Sequence, residues 1–465
     1  MDPVDVEGGH AALLDALDRR GAEFGILDGD GPLAFRERVA SVRRRRGRLA
    51  DEAETGYRDV VLVEHDGVLL WQTATEPIAS GMTRAGFSRR RGVRRAVTVG
   101  APLRHLSVPV LEPNEYLRHL RDTDNLLNAR CAAGLRRVIS NGSGGFELSE
   151  DGMKPKYAGR TLVMVHGTFS SSEHLLNEFA ATKAGRKFLA DALRRYGHQV
   201  LMFDHPTLSV SPFINGLDLA RALAGSSGEI DVIAHSRGGL VARWWLEVFG
   251  RMLAGAQVRL VVAGSPLRGT SLASPARIQP LLNVLVNVGS FVSRTLGIAA
   301  ASNPFTLASF ALLKFIVHDE AEALGVPPVR HPGARPDLDA AVAVIPGLQG
   351  QAAVDNNAEL QRLRKQAASV NVRYFALTAD FEPARIGWQL WKVVTQAGTL
   401  AADMVADTIF PGENDLVVDT AHMTSLADAR DIGDVEAFDP VSLVHHCNYF
   451  RQDKTIDALR RWLTI

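Results

Sequence analysis

The sequence predicts an α/β fold: a mostly parallel sheet covered by helices on both faces, with a helical cap insertion and a separate small α+β domain over residues 1–150. Three observations predict it. Beyond residue 150, short apolar runs alternate with amphipathic helical stretches. Those runs are apolar at consecutive positions, as strands buried on both sides require. A glycine- and serine-rich stretch, Ser140-Asn141-Gly142-Ser143-Gly144-Gly145, reads as a linker between this rhythm and what precedes it.

In the first part, Val60 to Glu64 and Val68 to Gln72 flank His65-Asp66-Gly67, the pattern of a β-hairpin with an Asp-Gly turn. A helical pattern follows from about Glu115 to Leu135. Arg43 to Arg46 with Arg48, and Arg89 to Arg91 with Arg94 and Arg95, make the first 100 residues locally basic. Such runs read as a solvated face, or as contacts for phosphates, an acidic partner or an anionic membrane surface.

After the linker, the predicted strands are Thr161 to Val165, Gln199 to Phe203, Ile230 to Ala234, Val258 to Ala263 and Val372 to Thr378. Helical stretches lie between them at Lys183 to Tyr196, Pro212 to Ala224 and Gly238 to Leu253. Right-handed crossovers then bring every strand's C-terminal end to one edge, where such sheets bind ligands. From about Leu272 to Leu348 runs a long apolar insertion, the predicted cap. Pro280 to Val292 is apolar nearly all round, so protein, lipid or substrate must cover it.

Composition excludes several classes. With 465 residues and 46% hydrophobic side chains the chain can bury a large core, which excludes wholesale disorder. With 52 basic against 52 acidic residues, its formal charge of zero speaks against a general nucleic-acid-coating protein. Cys131 and Cys447 make no disulfide framework, and a reducing compartment is the simpler expectation. Met1 to Arg19 carries five acidic residues, unlike a signal peptide. The uncharged runs Ile278 to Ser293 and Thr295 to Leu313 are too short, or interrupted by Asn303-Pro304, to span a bilayer. A cytoplasmic protein is expected.

The chemistry-bearing pattern follows the strand Ile230 to Ala234: His235-Ser236-Arg237-Gly238-Gly239, then an amphipathic helix. A serine on a tight strand-to-helix turn takes a strained backbone, which lifts its Oγ clear of the sheet edge. Small residues two before and two after it, Ala234 and Gly238, give the turn its room. A second match, Ala224-Gly225-Ser226-Ser227-Gly228, follows a helix and leads into a strand, so its context is wrong. Acyl transfer also needs two preorganised donors for the tetrahedral oxyanion. The N–H of Arg237 is one candidate. The other is the N–H of Thr168, in His166-Gly167-Thr168 just past the first strand after the linker. A base and an orienting acid complete the set. Asp415, in Gly412-Glu413-Asn414-Asp415 before a short apolar strand, is the favoured acid, with Asp380 and Glu382 competing. Histidine suits the base, because an ordinary imidazole takes and returns a proton near neutrality, and His446 is favoured over its neighbour His445. A His-His-Cys metal site at 445–447 is the remaining alternative, unaccompanied by a second ligand cluster.

The set His166-Gly167-Thr168, Ala234-His235-Ser236-Arg237-Gly238, Gly264-Ser265-Pro266 with Arg268-Gly269-Thr270, Asn414-Asp415 and His446 resembles the α/β-hydrolase lipases and esterases. The likeness is to bacterial triacylglycerol lipases and the PGAP1-like branch, over about residues 155–465. It implies an α/β-hydrolase domain with a cap or lid, and serine-dependent hydrolysis of carboxylic esters without cofactor or metal. Ser236, His446 and Asp415 would be its triad. The apolar cap adds the expectation of a hydrophobic ester or acyl-lipid substrate. Peripheral membrane contact and a phospholipase activity stay open, as does a non-catalytic protein that retains the fold.

Overall fold

Side chains alternate between two cores along the strand Arg160–Val165. Leu162 and Met164 enter one apolar cluster with Phe179, Phe188, Leu189 and Ile456. Val163 and Val165 enter another with Leu219, Val241 and Trp245. A strand buried on both faces cannot alternate apolar with polar, which is why these runs are continuous in the sequence. The structure is a computed structural model that describes residues 36–37, 57–65, 68–73, 101–109, 113–127, 134–142, 144–270, 273, 345–354, 357–381 and 413–465. The arginine runs at 43–48 and 89–95, Cys131, Glu382 and nearly all of the predicted cap (274–344) lie outside the described residues.

The described residues up to Glu115 belong to one unit and those from Tyr116 to another. In the first, β1 (Arg36–Glu37), β2 (Tyr57–His65), β3 (Val68–Thr73) and β4 (Ala101–Pro109) form an antiparallel sheet in the order β1-β4-β2-β3. β2 and β3 pair as far as His65 opposite Val68, the hairpin that the Asp-Gly pattern predicts. Val60, Leu62, Leu69, Trp71 and Leu106 are buried.

In chain order the elements that follow are α1 (Pro113–Leu127), β5 (Gly134–Ser140), β6 (Phe146–Ser149), β7 (Arg160–Val165), α2 (Ser172–Ala180), α3 (Lys183–Arg195) and β8 (Val200–Asp204). Then come α4 (Pro212–Ala222), β9 (Glu229–His235), α5 (Gly238–Arg243), β10 (Gln257–Ala263), α6 (Pro346–Gln349), α7 (Ala358–Arg364) and β11 (Asn371–Ala379). β12 (Ser425–Ala427), β13 (Arg430–Asp431), β14 (Asp434–Phe438) and α8 (Asp453–Leu463) close the series. Eight strands form one sheet in the order β6-β5-β8-β7-β9-β10-β11-β14. From β8 to β14 every pairing is parallel, and β5 and β6 join antiparallel at one edge. All five predicted strands are present to within about a residue at each end. Helix α5 is shorter than the predicted Gly238–Leu253, because it passes into a π-helical stretch at Trp244–Val248.

The structure corrects the sequence reading at the start of this sheet. Residues 140–145 are not a linker but the turn of the β5–β6 hairpin, in which Asn141 N–H donates to the Gly145 carbonyl (3.1 Å) and Gly145 N–H to Asn141 Oδ1 (3.0 Å). Helix α1 is described to Leu127, and Leu135, the predicted end of that helix, lies instead in β5. The division drawn at residue 150 therefore falls inside the second unit, whose sheet includes β5 and β6. Among the described residues no helix is long and apolar enough to cross a membrane.

One buried carboxylate fixes the loop that leaves β8. Asp124 on α1 accepts from the N–H groups of Thr207 (2.6 Å), Leu208 (2.9 Å) and Ser209 (2.7 Å), and from the hydroxyls of Thr207 and Ser209. Removing it would orphan several buried donors at once, each costing about 1–3 kcal/mol. Asp124→Ala is expected to destabilise the protein by roughly 3 kcal/mol, read as a lowered urea midpoint. An unchanged midpoint would contradict this role.

Candidate active site

The chain lays down β7, then β8 on one side of it, then β9 on the other. The order therefore reverses between β7 and β9, and open α/β sheets have their binding crevice at the C-terminal ends of such a pair. Both loops that leave this point carry predicted site residues: His166 to Thr168 after β7, and Ser236 after β9. They lie close together, since a Cβ on Gly167 would stand 2.7 Å from the Ser236 Cβ.

Ser236 has φ +54°, in the left-handed region that a non-glycine residue occupies only under constraint. Two hydrogen bonds hold it there: its N–H donates to Ala263 O (2.8 Å), and Gly239 N–H donates to its carbonyl (2.9 Å). Position 238 admits only glycine without rearrangement, because a Cβ there would lie 2.5 Å from the Val165 carbonyl oxygen and 2.7 Å from that of His166. The competing match is structural, as its context indicates: Ser226 is buried and its Oγ accepts the Tyr157 N–H (3.0 Å).

The predicted base and acid come from loops far along the chain. His446 Nε2 lies 2.8 Å from Ser236 Oγ, and its Nδ1 lies 2.8 Å from Asp415 Oδ2. With Nδ1–H donating to the carboxylate, Nε2 turns its lone pair to the serine hydroxyl. The Asp415 turn wraps around its own side chain, as Oδ1 accepts from Val417 N–H (3.1 Å) and Val418 N–H (2.8 Å). Leu416 has φ +82°, so the apolar run after Asp415 is a turn rather than the strand the sequence suggests. Tyr449 O–H donates to Oδ2 at 3.0 Å, and the Asp415 carbonyl accepts the His446 N–H (3.0 Å). Gly264, at the end of β10, has φ +53°; a Cβ there would lie 2.8 Å from Asp415 Oδ2 and 3.2 Å from His446 Nδ1.

The alternatives sit elsewhere. Asp380 follows β11 and its N–H bonds to Phe438 O, while the carboxylate that reaches His446 is that of Asp415. His445 faces away from the serine: its Nδ1 accepts the Cys447 N–H (3.3 Å), its N–H donates to Asn448 Oδ1, and its ring meets Phe381 edge-on. Burial draws its imidazole down to about 4. Among the described residues no group of histidine, cysteine and carboxylate side chains is arranged to hold a metal ion.

Neither the Thr168 N–H nor the Arg237 N–H has an acceptor among the described residues. Thr168 is fixed by its hydroxyl, which donates to Gln351 Oε1 (2.8 Å), and Gln351 Nε2 in turn donates to Gly347 O (2.7 Å). His166 fixes the peptide itself. His205 N–H donates to its Nε2 (3.3 Å), so Nδ1 carries the proton and donates to Gly167 O (2.9 Å). That carbonyl shares a peptide plane with the Thr168 N–H and sets its direction. Burial draws His166 down to about 4. The Arg237 side chain points away from the site, and its Nη2 donates to Val210 O and Asn215 Oδ1, both at 2.6 Å.

Sequence reasoning missed Tyr449 and Gln351 as parts of this site, and quoted His235 and Gly264 only within motifs, without a role for either. His235 Nε2 donates to the His446 carbonyl (2.8 Å), tying the elbow to the loop of the base. Gly264 had a legible signal, a glycine ending a strand. The others act through contacts across long stretches of chain, which no local pattern marks.

A mostly parallel sheet with a serine on its strand-to-helix turn, followed in chain order by an acid and a histidine that meet it, defines the α/β-hydrolase fold. Within it, the chain belongs to the family described as domain of unknown function DUF7379, whose model matches residues 140–330 and 338–464. No curated protein matches its sequence. Among solved structures it is similar to the mature form of the Bacillus licheniformis lipase BlEst2 (16% identity, TM-score 0.32, covering 68% of this chain and 94% of that one). It is also similar to lipase 1 from Pelosinus fermentans (15%, 0.33, 62% and 94%) and to the enol-lactonase from Burkholderia xenovorans LB400 (12%, 0.31, 66% and 92%). These likenesses are slight, and the fold class rests on the chain's own topology.

Two predictions follow from the geometry. Gly264→Ala forces a side chain into a left-handed position against Asp415 and His446. It is expected to cost about 2 kcal/mol and to abolish the downfield Nδ1 proton resonance of His446; a retained resonance would contradict the account. The second concerns pH. His166 and His445 are held near 4 in the fold, whereas an unfolded chain protonates them near 6.5. Their contribution is therefore complete above about pH 6.5 and lost as pH falls toward 4, by up to about 1.4 kcal/mol per pH unit for each ring. The buried His174, His205 and His235, also lowered, act in the same direction, so urea unfolding between pH 6.5 and 5 should show a slope at least this steep, and His445→Gln should reduce it by one proton.

Proposed function

We propose that this protein is a serine hydrolase that cleaves a carboxylic ester through an acyl-enzyme, with Ser236 as nucleophile, His446 as general base and then acid, and Asp415 as the orienting carboxylate. One observation carries the reading: an unbroken line of contacts from Asp415 through His446 to Ser236, at 2.8 Å each, on a serine held at φ +54°. His446 takes the hydroxyl proton as Oγ attacks the carbonyl carbon. The tetrahedral oxyanion forms against the N–H groups of Thr168 and Arg237, and His446 returns the proton to the leaving alcohol. A water then repeats the sequence and releases the acid.

The fold leaves the ester unnamed, because one scaffold hosts many substrates. A hydrophobic acyl group is the class we favour, on the apolar sequence of the insertion at Pro280 to Val292. Thioester and amide cleavage use the same acyl transfer, and the choice among them is a matter for kinetics.

The test uses p-nitrophenyl esters of graded chain length. The wild type is expected to turn them over with a preference for longer chains. Ser236→Ala should lower kcat by on the order of 10⁴-fold or more, and Asp415→Asn by about 10⁴-fold. Turnover that is equal in wild type and Ser236→Ala would remove the serine from this role.

A further inference from the structure

We infer that Tyr449 is a positioning residue of this site, whose hydroxyl pins the Asp415 oxygen facing His446 and takes up part of that oxygen's charge. The inference rests on the proposed function. Asp415 Oδ2 accepts two bonds, from His446 Nδ1 at 2.8 Å and from Tyr449 O–H at 3.0 Å, while Oδ1 is held by two backbone N–H groups. The carboxylate thus has one anchor on Oδ1 and a second on Oδ2, and the second is supplied by the loop that carries the base. Without it, the oxygen nearest the imidazole would be held by the imidazole alone.

The hydroxyl has one proton to give and two neighbours to give it to. The Met423 sulfur, at 3.7 Å, is a weak acceptor, and the buried carboxylate is a charged one, so the proton goes to Asp415. A hydrogen bond from the Ala379 backbone favours the phenolate, but burial and the Asp415 charge outweigh it and push the phenol well above its ordinary value. It therefore remains a donor at every working pH. The ring cannot swing away: Tyr449 is buried, edge-on to Phe438 and His235, and against Gly264, where a Cβ would stand 2.7 Å from its Cε2.

Charge that Tyr449 draws from Oδ2 is charge the imidazolium does not feel. Removing the hydroxyl should strengthen the Asp415–His446 attraction and keep the base protonated to higher pH. The groups around His446 leave this readout clean. His235, from the end of β9, lies 4.9 Å away ring to ring and is held neutral by burial. His445 and Cys447, in its own loop, are held neutral by burial too. Beyond them Arg451 is paired with Glu178 (2.7 Å). With these neighbours neutral or paired, a change in the acid limb of a pH–rate profile on altering Tyr449 reports on the Asp415–His446 pair.

The experiment is the pH dependence of kcat/KM for a p-nitrophenyl ester in wild type, Ser236→Ala, Tyr449→Phe and the control Met423→Leu. Tyr449→Phe is expected to move the midpoint of the acid limb up by roughly 0.5 unit and to lower kcat about 10-fold with KM unchanged. Met423→Leu should leave the limb where it is. Should Tyr449→Phe fail to fold, 3-fluorotyrosine incorporated at position 449 is a stronger donor and should move the limb down. Serine-dependent turnover with an unmoved limb in either Tyr449 variant overturns the inference and leaves the proposed function standing. Turnover that is independent of Ser236 overturns both.

Discussion

A carboxylate with no solvent exposure must find its hydrogen bonds inside the protein, and Asp415 organises the site through that demand. Its two oxygens draw together the N–H groups of Val417 and Val418, the Tyr449 hydroxyl and the His446 ring. Satisfying them bends the chain at Leu416 into the left-handed region and leaves room only for glycine at position 264. The imidazole is then held on one side by the carboxylate and on the other by the serine hydroxyl. Every member of the line is largely buried, so each bond acts at low local dielectric.

The sheet supplies the other half of the arrangement. Because β7 sits at the point where strand order reverses, the loops after β7 and β9 leave the sheet side by side. One brings the Thr168 N–H with its peptide oriented by His166; the other brings Ser236 and the Arg237 N–H. The two loops touch because position 167 carries no side chain and because a glycine at 238 lets α5 start against the carbonyls of Val165 and His166. Backbone geometry and side-chain chemistry thus converge on one oxygen of Ser236. The contact from His235 to the His446 carbonyl links the two halves directly.

The central strands were legible because burial on both faces leaves them continuously apolar, and the elbow because a strand, a small residue, a serine and a glycine stand in a row. Strands at or next to the sheet's edges carry no such mark: β14, at one edge, reads Asp-Val-Glu-Ala-Phe, and β5, beside the edge strand β6, begins with glycine and carries Arg136 and Arg137. The stretch 140–145 misled because a hairpin turn and a linker need the same residues, those tolerant of positive φ. Leu416-Val417-Val418 misled in the opposite sense, as apolar residues in a turn whose shape is set by a carboxylate rather than by their own preference for strands. That Ser236, Asp415 and His446 would meet was legible in the sequence, since acyl-transfer chemistry asks for these residue types and the strand-and-loop framework sets their order. Tyr449 and Gln351 were not legible, since each is defined by what it touches after folding.

The most direct measurement of the central claim is a crystal structure of the protein after treatment with a fluorophosphonate. Phosphorus is expected bonded to Ser236 Oγ, with the phosphoryl oxygen within hydrogen-bond distance of the N–H groups of Thr168 and Arg237 and His446 still joined to Asp415. An adduct on another residue, or a phosphoryl oxygen turned away from both N–H groups, would contradict that claim.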